Sequence, residues 1–546
     1  MMHFSRSAWA LALLVPLLTG QQLPTLAAHY GGASFDFVGF AVRGIGDVDG
    51  DQVPDYAVGV TGDDTGGLDA GQVRVFSGAT DVLLWSRTGD AQGDAFGYSL
   101  GRVDDADQDG IDDLVVGAIY ADPSGPFSGR AYLLSGADGS TIHSLAGAAM
   151  GDLFGGCVAG LGDVNGDGRG DFIAGAYSAD AGGADTGYAR VYSGATGAVI
   201  HHLAGTQAGM FFGKDVTGVG DVSGDGVPDF AVGSWRGITN DRGRLDVFSG
   251  ATGALLYYVD GLADGDRFGE AVAGLRGDID GDTVPDILVG APQADPNGLP
   301  NSGRAYILSG SNGIIAMGPF DGITTSEFFG DTLSAAGDLD GDGVVDALVG
   351  AWANSELSMQ NGYVRAISGA TGSDILFRYG TPDDWGYGYG ISDLGDVNGD
   401  GLSEFVIGSP YYTTTNFHSG RALVQTACGA NVYGSNSGGL TLAWTAGAVG
   451  SAHAGTIDLL GGTPSGSAVL AVSLAPASLT IGAGTLLIDV FDPSFAAVST
   501  SFDGLGSIIL PLDLHAPGPA PLLLYTQSYD VTAGALSNGL ELLFSQ

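Results

Sequence analysis

The stretch DVNGDGRGD at residues 163–171 decides the fold of this chain, because close variants of it occur six more times. The seven copies start 58, 58, 58, 57, 60 and 58 residues apart, at Asp47, Asp105, Asp163, Asp221, Asp278, Asp338 and Asp396. A fixed period over residues 47–404 indicates an array of one structural unit, since a single unit of this size cannot bury its hydrophobic face alone.

Each unit carries the signals of four short strands. An aromatic-glycine pair, such as residues 154–155 (FG), lies about nine residues before the acidic stretch. After it come a short apolar run, an alternating strand such as residues 129–136 (GRAYLLSG), a turn and a fourth run such as residues 198–205 (AVIHHLAG). No stretch has a 3.6-residue period long enough for a helix. Seven four-stranded sheets arranged radially form a β-propeller, so we predict an all-β fold.

The two ends of the array are predicted to close the ring. At an offset of 58 residues, residues 26–31 (LAAHYG) align with residues 84–89 (LWSRTG), the fourth strand of the first complete unit. The seventh unit loses its pattern after residues 423–427 (LVQTA). We therefore predict that the N-terminal segment supplies the outer strand of the seventh sheet.

The repeats resemble the FG-GAP repeats of integrin alpha subunits. The resemblance rests on the Phe-Gly start, the D-x-D-x-D-x-x-x-D loop and a Gly-Ala-Pro ending, which is intact at residues 290–292, and it covers residues 29–428. The first unit departs from the pattern, with Val-Gly at residues 38–39. The resemblance implies a seven-bladed propeller for extracellular ligand binding or cell adhesion, of a kind that secreted bacterial proteins also use. In integrins only some blades carry the acidic loop, whereas all seven units carry it here.

The acidic stretches are predicted to be calcium loops. Calcium takes six to eight oxygen ligands, which carboxylates at positions 1, 3, 5 and 9 and the backbone carbonyl at position 7 of one loop can provide. Glycine at position 4 or 6 permits the bend that turns these oxygens inward. Three loops carry Asn165, Ser223 or Asn398 at position 3, and we expect them to bind more weakly. Magnesium is disfavoured because its tight octahedral shell tolerates such flexible loops poorly.

The predicted ligands of up to seven Ca²⁺ ions are positions 1, 3, 5, 7 and 9 of every loop. In chain order they are Asp47, Asp49, Asp51, Val53, Asp55, Asp105, Asp107, Asp109, Ile111, Asp113, Asp163, Asn165, Asp167, Arg169, Asp171, Asp221, Ser223, Asp225, Val227, Asp229, Asp278, Asp280, Asp282, Val284, Asp286, Asp338, Asp340, Asp342, Val344, Asp346, Asp396, Asn398, Asp400, Leu402 and Glu404. One acidic stretch is as typical of a solvated surface as of a metal site, and the seven in-phase copies favour metal. Without cations these carboxylates repel one another, so we expect chelation to lower the melting temperature.

Composition narrows the possible functions. The 546 residues include 62 acidic and 18 basic side chains, which gives a formal net charge of -44, and Lys214 is the one lysine. Such a surface argues against nucleic acid as a partner. The eight histidines show no HExxH spacing, and no G-x-S-x-G or G-x-x-x-x-G-K motif occurs, so we predict that the protein is not an enzyme. The alternatives are an extracellular hydrolase or lyase acting on polysaccharide or lipid, and a structural component of the cell envelope.

Three segments are predicted along the chain. Residues 1–28 are typical of a signal peptide, with an apolar run at residues 8–18 that is too short to span a bilayer. Residues 29–428 form the propeller. Residues 429–546 hold seven acidic residues and no Lys or Arg, and their short apolar runs predict a C-terminal β-sandwich. The protein is therefore predicted to be secreted or on the cell surface, without a transmembrane segment once the signal is cleaved.

Large aromatic residues form a second candidate site. They follow the Gly-Ala turn or precede a first strand, at Tyr120, Tyr177, Trp235, Trp352, Trp385 and Tyr411. Propeller topology predicts that they lie on the face opposite the acidic loops, which resembles the ligand-binding face of integrin propellers. Such rings suit flat apolar ligand faces, so the expected partner is an extracellular protein or glycan. The alternative is that they only pack between blades.

Overall fold

The chain is described here from a computed structural model, which covers residues 25–236, 240–353, 361–413 and 416–426 and, beyond residue 426, strands alone. Regular structure in these residues is β-strand, apart from one 3₁₀ turn at Pro296–Gly298. The all-β prediction is therefore confirmed. The chain divides into two units, Met1–Ala427 and Cys428–Gln546.

The first unit contains seven antiparallel four-stranded sheets, or blades, within the described residues. In blades one to three the strands are β2 (Val38–Gly46), β3 (Asp55–Val60), β4 (Gln72–Phe76) and β5 (Leu83–Thr88); β6 (Phe96–Val103), β7 (Asp113–Ala118), β8 (Arg130–Leu134) and β9 (Thr141–Ala146); and β10 (Cys157–Gly162), β11 (Asp171–Ala176), β12 (Tyr188–Tyr192) and β13 (Val199–Ala204). In blades four to six they are β14 (Phe212–Gly220), β15 (Asp229–Ser234), β16 (Arg244–Phe248) and β17 (Leu255–Asp260); β18 (Val272–Gly274), β19 (Ile287–Ala291), β20 (Arg304–Leu308) and β21 (Ile315–Asp321); and β22 (Thr332–Ala336), β23 (Asp346–Ala351), β24 (Tyr363–Ile367) and β25 (Asp374–Tyr379). The seven-bladed propeller predicted from the repeats is confirmed.

The seventh blade joins the two ends of the ring. It consists of β26 (Gly390–Gly395), β27 (Glu404–Ser409), β28 (Arg421–Thr426) and, as its outer strand, β1 (Thr25–Tyr30). Strand β1 runs antiparallel to β28, and β26 lies beside β2 of the first blade. The predicted closure is therefore present. Because β1 begins at Thr25, this blade includes residues 25–28, which the sequence analysis assigned to the signal peptide.

Glycines of the repeat allow adjacent blades to touch. A Cβ atom on Gly117, in the second strand of blade two, would lie 1.9 Å from the carbonyl oxygen of Gly155, which belongs to the Phe-Gly pair of blade three. Gly175 meets the next blade in the same way, since a Cβ atom on it would lie 2.2 Å from the carbonyl oxygen of Gly213. Any side chain at these positions would collide with backbone. The Phe-Gly and Gly-Ala halves of the motif thus meet each other between blades.

Hydrophobic cores lie between neighbouring blades. Phe96 is fully buried among residues of both blade one and blade two, including Val75 and Leu114. The second strands, such as β7, are buried along their whole length because a strand lies on either side and a blade on either face. The fourth strands, such as β9, are partly exposed. Burying one such phenylalanine contributes roughly 1.5–3 kcal/mol, so the stacked repeats stabilise one another.

The second unit is also made of antiparallel strands. They are β29 (Thr441–Thr445), β30 (Thr456–Leu460), β31 (Ser467–Ala471), β32 (Leu479–Thr480), β33 (Gly484–Asp492), β34 (Phe495–Phe502), β35 (Ile509–Leu510), β36 (Leu522–Thr526), β37 (Tyr529–Asp530), β38 (Ala535–Leu536) and β39 (Leu540–Phe544). They pair as β29 with β30, β34 with both β31 and β33, β32 with β35, β36 with β39, and β37 with β38. Because the segments that connect these strands lie outside the described residues, the β-sandwich stays a prediction.

Candidate metal loops and channel mouth

Each acidic loop connects the first and second strands of its blade. In six of the seven blades position 9 of the loop is also the first residue of the second strand, as with Asp55 in β3 and Glu404 in β27, and in blade five Asp286 directly precedes β19. Since every blade has the same strand order, all seven loops lie at one end of the ring, which we call the lower face. The connections between second and third strands, which follow the Gly-Ala turn, lie at the other end, the upper face.

The carboxylate at position 1 organises each loop. In the first loop, the backbone N–H groups of Gly50 and Asp51 donate to Asp47 Oδ1 over 2.7 and 3.1 Å, and that of Gln52 donates to Oδ2 over 2.7 Å. The same three bonds recur in the other six loops. Positions 4 and 6 have φ between 68° and 89° in all seven loops, which explains why glycine occupies most of them.

The carboxylate at position 9 is buried and fastens the loop to the blade. Asp113 has no exposed surface, and it accepts hydrogen bonds from the N–H groups of Ala106, at position 2, over 2.7 Å and of Gly136, after the third strand, over 3.1 Å. Burial raises the pKa of Asp113 and of Asp346 to about 7, although their backbone hydrogen bonds act in the opposite direction. A neighbouring cation would favour the ionised form of these buried carboxylates.

Four loops bring three carboxylates close enough to share one ion. Ligand oxygens lie within 4.8 Å of one another in the groups Asp47, Asp49 and Asp55; Asp105, Asp107 and Asp113; Asp278, Asp280 and Asp282; and Asp338, Asp340 and Asp346. These are the loops with four carboxylates, so the donor set fits a hard divalent cation. The position-7 backbones donate N–H to position 5, as Val53 does to Asp51 over 2.9 Å, and the proposed role of their carbonyls stays a prediction.

The asparagine-bearing loops have a different arrangement at position 3. Asn398 Nδ2 donates to Glu404 Oε1 over 2.8 Å, and Asn165 Nδ2 donates to Asp171 Oδ1 over 3.3 Å. An amide hydrogen therefore faces the buried carboxylate. In the fourth loop, Ser223 Oγ donates to Asp221 over 3.4 Å. Weaker cation binding in these three loops remains a prediction, with this geometry as its physical reason.

A further site, which was not predicted from the sequence, lies where the central channel opens on the upper face. The residue two positions after the first residue of each Phe-Gly pair, or its equivalent, lines a cavity of about 640 Å³. In blade order these residues, which we call the channel mouth, are Phe40, Tyr98, Gly156, Lys214, Glu270, Asp331 and Tyr389. Three neighbouring members are aromatic and three are charged. Applying the repeat period to this position would have grouped them, and Lys214 was already conspicuous as the one lysine.

Deeper in the channel lies a second set of charged groups. Arg43, Asp215, Arg276 and Asp393 line the same cavity. Burial lowers the pKa of Arg43 to about 10, and the positive charge of Arg276 acts in the same direction. Burial raises the pKa of Asp215 to about 6. The channel interior is therefore polar, with charges of both signs.

Four of the six aromatic residues singled out in the sequence lie beside members of the channel mouth. The other two, Trp235 and Trp385, contact Arg267 and His418 instead. The Lys214 ammonium lies 5.8 Å from the ring centre of Tyr177. The rings of Trp352 and Tyr411 lie 6.2 and 5.9 Å from that of Tyr389. Tyr120 is 42% exposed, so packing between blades does not account for all of its surface.

Comparison with known proteins agrees with this architecture. The family model for the FG-GAP repeat matches residues 268–308 and 390–424. The first unit is an integrin alpha-like FG-GAP propeller. Human integrin alpha-11 is 35% identical over 170 residues, which are 29% of this chain and 14% of the relative. Integrin alpha-V of Gallus gallus is 31% identical over 220 residues (38% and 21%), and integrin alpha-5 of Xenopus laevis is 30% identical over 245 residues (40% and 22%).

The similarity to integrins concerns a part of those proteins. The aligned parts of this chain cover between 14% and 22% of the length of the three relatives, so the activities of those whole proteins are not transferred to it. In the part of the chain that the structure describes, no helix is both long enough and apolar enough to cross a membrane.

Proposed function

We propose that this protein is an exported calcium-binding propeller, not an enzyme, that binds an extracellular ligand or mediates adhesion through its upper face. The observation that carries the calcium part is the repeated loop geometry, in which three carboxylates converge in four of the loops and, in three of these, one of them is the fully buried group at position 9. A bound calcium ion supplies the positive charge that compensates such buried, negatively charged carboxylates.

The binding part rests on the upper face. Half-exposed aromatic rings around a 640 Å³ cavity are typical of ligand sites. The rings supply contact area, and a ligand that enters the cavity leaves water on most of its surface. The integrin alpha-like repeats support the same type of role. Export is supported by the features of a signal peptide near the N-terminus, and we place its cleavage before Thr25, where β1 begins.

The test is capture of ligands by the intact chain on an array of extracellular matrix proteins and glycans, with calcium and with EDTA. We expect binding in calcium that EDTA abolishes, and we expect Trp352→Ala to weaken it while circular dichroism shows a folded propeller. Absence of binding to every probe by folded, calcium-loaded protein would contradict the proposal.

A further inference from the structure

A line of aromatic rings crosses the upper face at the channel mouth. It runs through Phe127, Tyr120, Tyr98, Phe40, Tyr389 and Tyr411, with successive ring centres 5.9, 6.2, 4.8, 4.9 and 5.9 Å apart. We call these six residues the aromatic line. It starts in blade two, passes the channel at blade one and ends in blade seven.

The rings of the aromatic line become more exposed toward one end. Phe127 and Tyr120 are 55% and 42% exposed, whereas Phe40, Tyr98 and Tyr389 are half-buried at the cavity wall. An exposed pair that continues into a lined cavity offers a row of aromatic rings, whose neighbouring members are inclined to one another by between 43° and 82°. Each ring face can stack on one flat, weakly polar group of a chain-like ligand.

The opposite side of the channel mouth carries unused hydrogen-bonding groups. The Glu270 side chain is nine-tenths buried, yet its Oε2 has no hydrogen-bond partner among the described residues, and the nearest cationic nitrogen, Arg267 Nη1, is 3.6 Å away. Lys214, the neighbouring member of the mouth, contacts the Tyr177 ring and forms no ion pair within 4.0 Å in the described part of the chain. A buried acceptor next to a free donor favours ligand groups that both donate and accept, as hydroxyls do.

The charges of the mouth favour an uncharged ligand. The positive charges of Lys214 and Arg267 balance the negative charges of Glu270 and Asp331. A cation that entered the cavity would therefore meet two positive groups near the two carboxylates. Anionic ligands are repelled by the whole chain, whose formal net charge is -44. The favoured ligand is therefore neutral, rich in hydroxyls and built from flat units.

We propose that the channel mouth binds a neutral glycan chain, with its sugar rings stacked on the aromatic line and its hydroxyls bonded to Glu270 and Lys214. This inference rests on the proposed ligand-binding function and names the ligand class. Glu270 accepts a hydroxyl proton in a hydrogen bond, and Lys214 donates to a hydroxyl oxygen. The sugars lie across the channel and not along the outer blade edges.

The test is calorimetric titration of the intact, calcium-loaded chain with neutral hexasaccharides, namely cellohexaose, mannohexaose, laminarihexaose and chitohexaose. We expect at least one to bind. Tyr120→Ala and Phe127→Ala should each weaken that binding about tenfold, since each removes one ring on which a ligand unit stacks, and Glu270→Gln should weaken it as well. The matched control is Tyr258→Ala, which removes a ring that is 52% exposed on the outer strand β17, and it should bind as the parent chain does.

Melting curves in calcium verify that each variant is folded. Lack of binding to all four hexasaccharides, or binding that Tyr258→Ala weakens as much as Tyr120→Ala, would overturn the inference. So would tighter binding of a hexa-arginine peptide or of hexagalacturonate through the same residues. If the array instead yields a calcium-dependent protein ligand and no hexasaccharide binds, the glycan inference fails while the proposed function stands.

Discussion

Thr283 shows how strictly the acidic loops constrain their backbone. It occupies position 6 of the fifth loop with φ of 73°, a conformation in which β-branched residues are rare, while the same position is Gly226 in the fourth loop and Gly343 in the sixth. The N–H of Thr283 donates to Asp278 over 2.7 Å, so the loop holds the residue in this conformation. The strain is retained because the hydrogen bonds of the loop over-determine it.

Replacing Thr283 with glycine should stabilise the protein. The left-handed conformation costs a non-glycine residue about 1–2 kcal/mol, and the extra entropy of glycine in the unfolded chain offsets part of the gain, so we expect a net increase of about 1 kcal/mol. The matched control is Gly281→Thr, at φ of 85° with open space around its Cβ, which should destabilise by a similar amount. Urea unfolding in EDTA measures both, and a lower midpoint for Thr283→Gly would contradict this account.

The sequence pattern pointed to the residues of the acidic loops, whereas the channel mouth was not predicted, although the repeat period would have grouped its members. The alternation of aspartates predicts the ligand set of each loop, of which the structure brings three carboxylates together in four loops, and glycine at positions 4 and 6 predicts the turn. Glu270 and Lys214 are 56 residues apart in sequence and meet only because successive blades repeat one geometry around an axis. Side-chain chemistry that arises from the ring, and not from one unit, needs the three-dimensional arrangement.

Strand β1 is the element on which closure of the ring depends. It pairs with β28 from Thr25 to Tyr30, and its His29 also reaches the first blade, stacking on Phe76 at 3.7 Å and placing Nε2 2.7 Å from the Tyr56 hydroxyl. Burial lowers the pKa of His29, an effect that Asp81 opposes. One short strand therefore contacts both the last and the first blade.

Removing β1 should open the ring. A chain that starts at Gly31 loses the hydrogen bonds to β28 and the His29 contacts, and at about 1 kcal/mol for each backbone hydrogen bond we expect a loss of several kcal/mol relative to a chain that starts at Thr25. Denaturant midpoints of the two truncated chains measure the difference. Equal midpoints would show that closure does not depend on this strand.

Strand order was foreseeable because the repeat phase determines it, including the alignment that assigned the N-terminal segment to the seventh blade. The start of β1 at Thr25 was not foreseeable, because residues 27–28 (Ala-Ala) are typical both of the end of a signal peptide and of an edge strand. The pairing partner of this strand lies some 400 residues away, so the strand start is visible only in the structure. For the C-terminal unit no repeat supplies such a phase, and its arrangement stays a prediction.

At the scale of the whole molecule, the buried position-9 carboxylates make stability depend on pH and on metal together. The folded-state pKa of Asp113 and Asp346 is about 7, against 3.8 for an ordinary aspartate, so the folded state binds more protons than the unfolded state between these values. In metal-free protein, the contribution of these two groups to the free energy of unfolding is therefore fully present below about pH 4. That contribution is lost as the pH rises through about 7.

Calcium should reverse this loss, since it binds the ionised carboxylates. We expect the difference in melting temperature between calcium-loaded and EDTA-treated protein to be larger at pH 8 than at pH 5, because protons compete with the ion at pH 5. A site filled at a hundred times its dissociation constant adds about 2.7 kcal/mol, and several sites act on one ring. Scanning calorimetry at the two pH values measures this, and a difference that shrinks toward pH 8 would contradict it.

The central claim is that the acidic loops bind calcium and thereby hold the closed propeller together. Its most direct test is a crystal structure of the chain grown with calcium, with anomalous scattering used to locate the ions. We predict calcium in the acidic loops, with full occupancy first in the loops that begin at Asp47, Asp105, Asp278 and Asp338, where three carboxylates already converge. A folded seven-bladed ring whose acidic loops contain no calcium would contradict the claim.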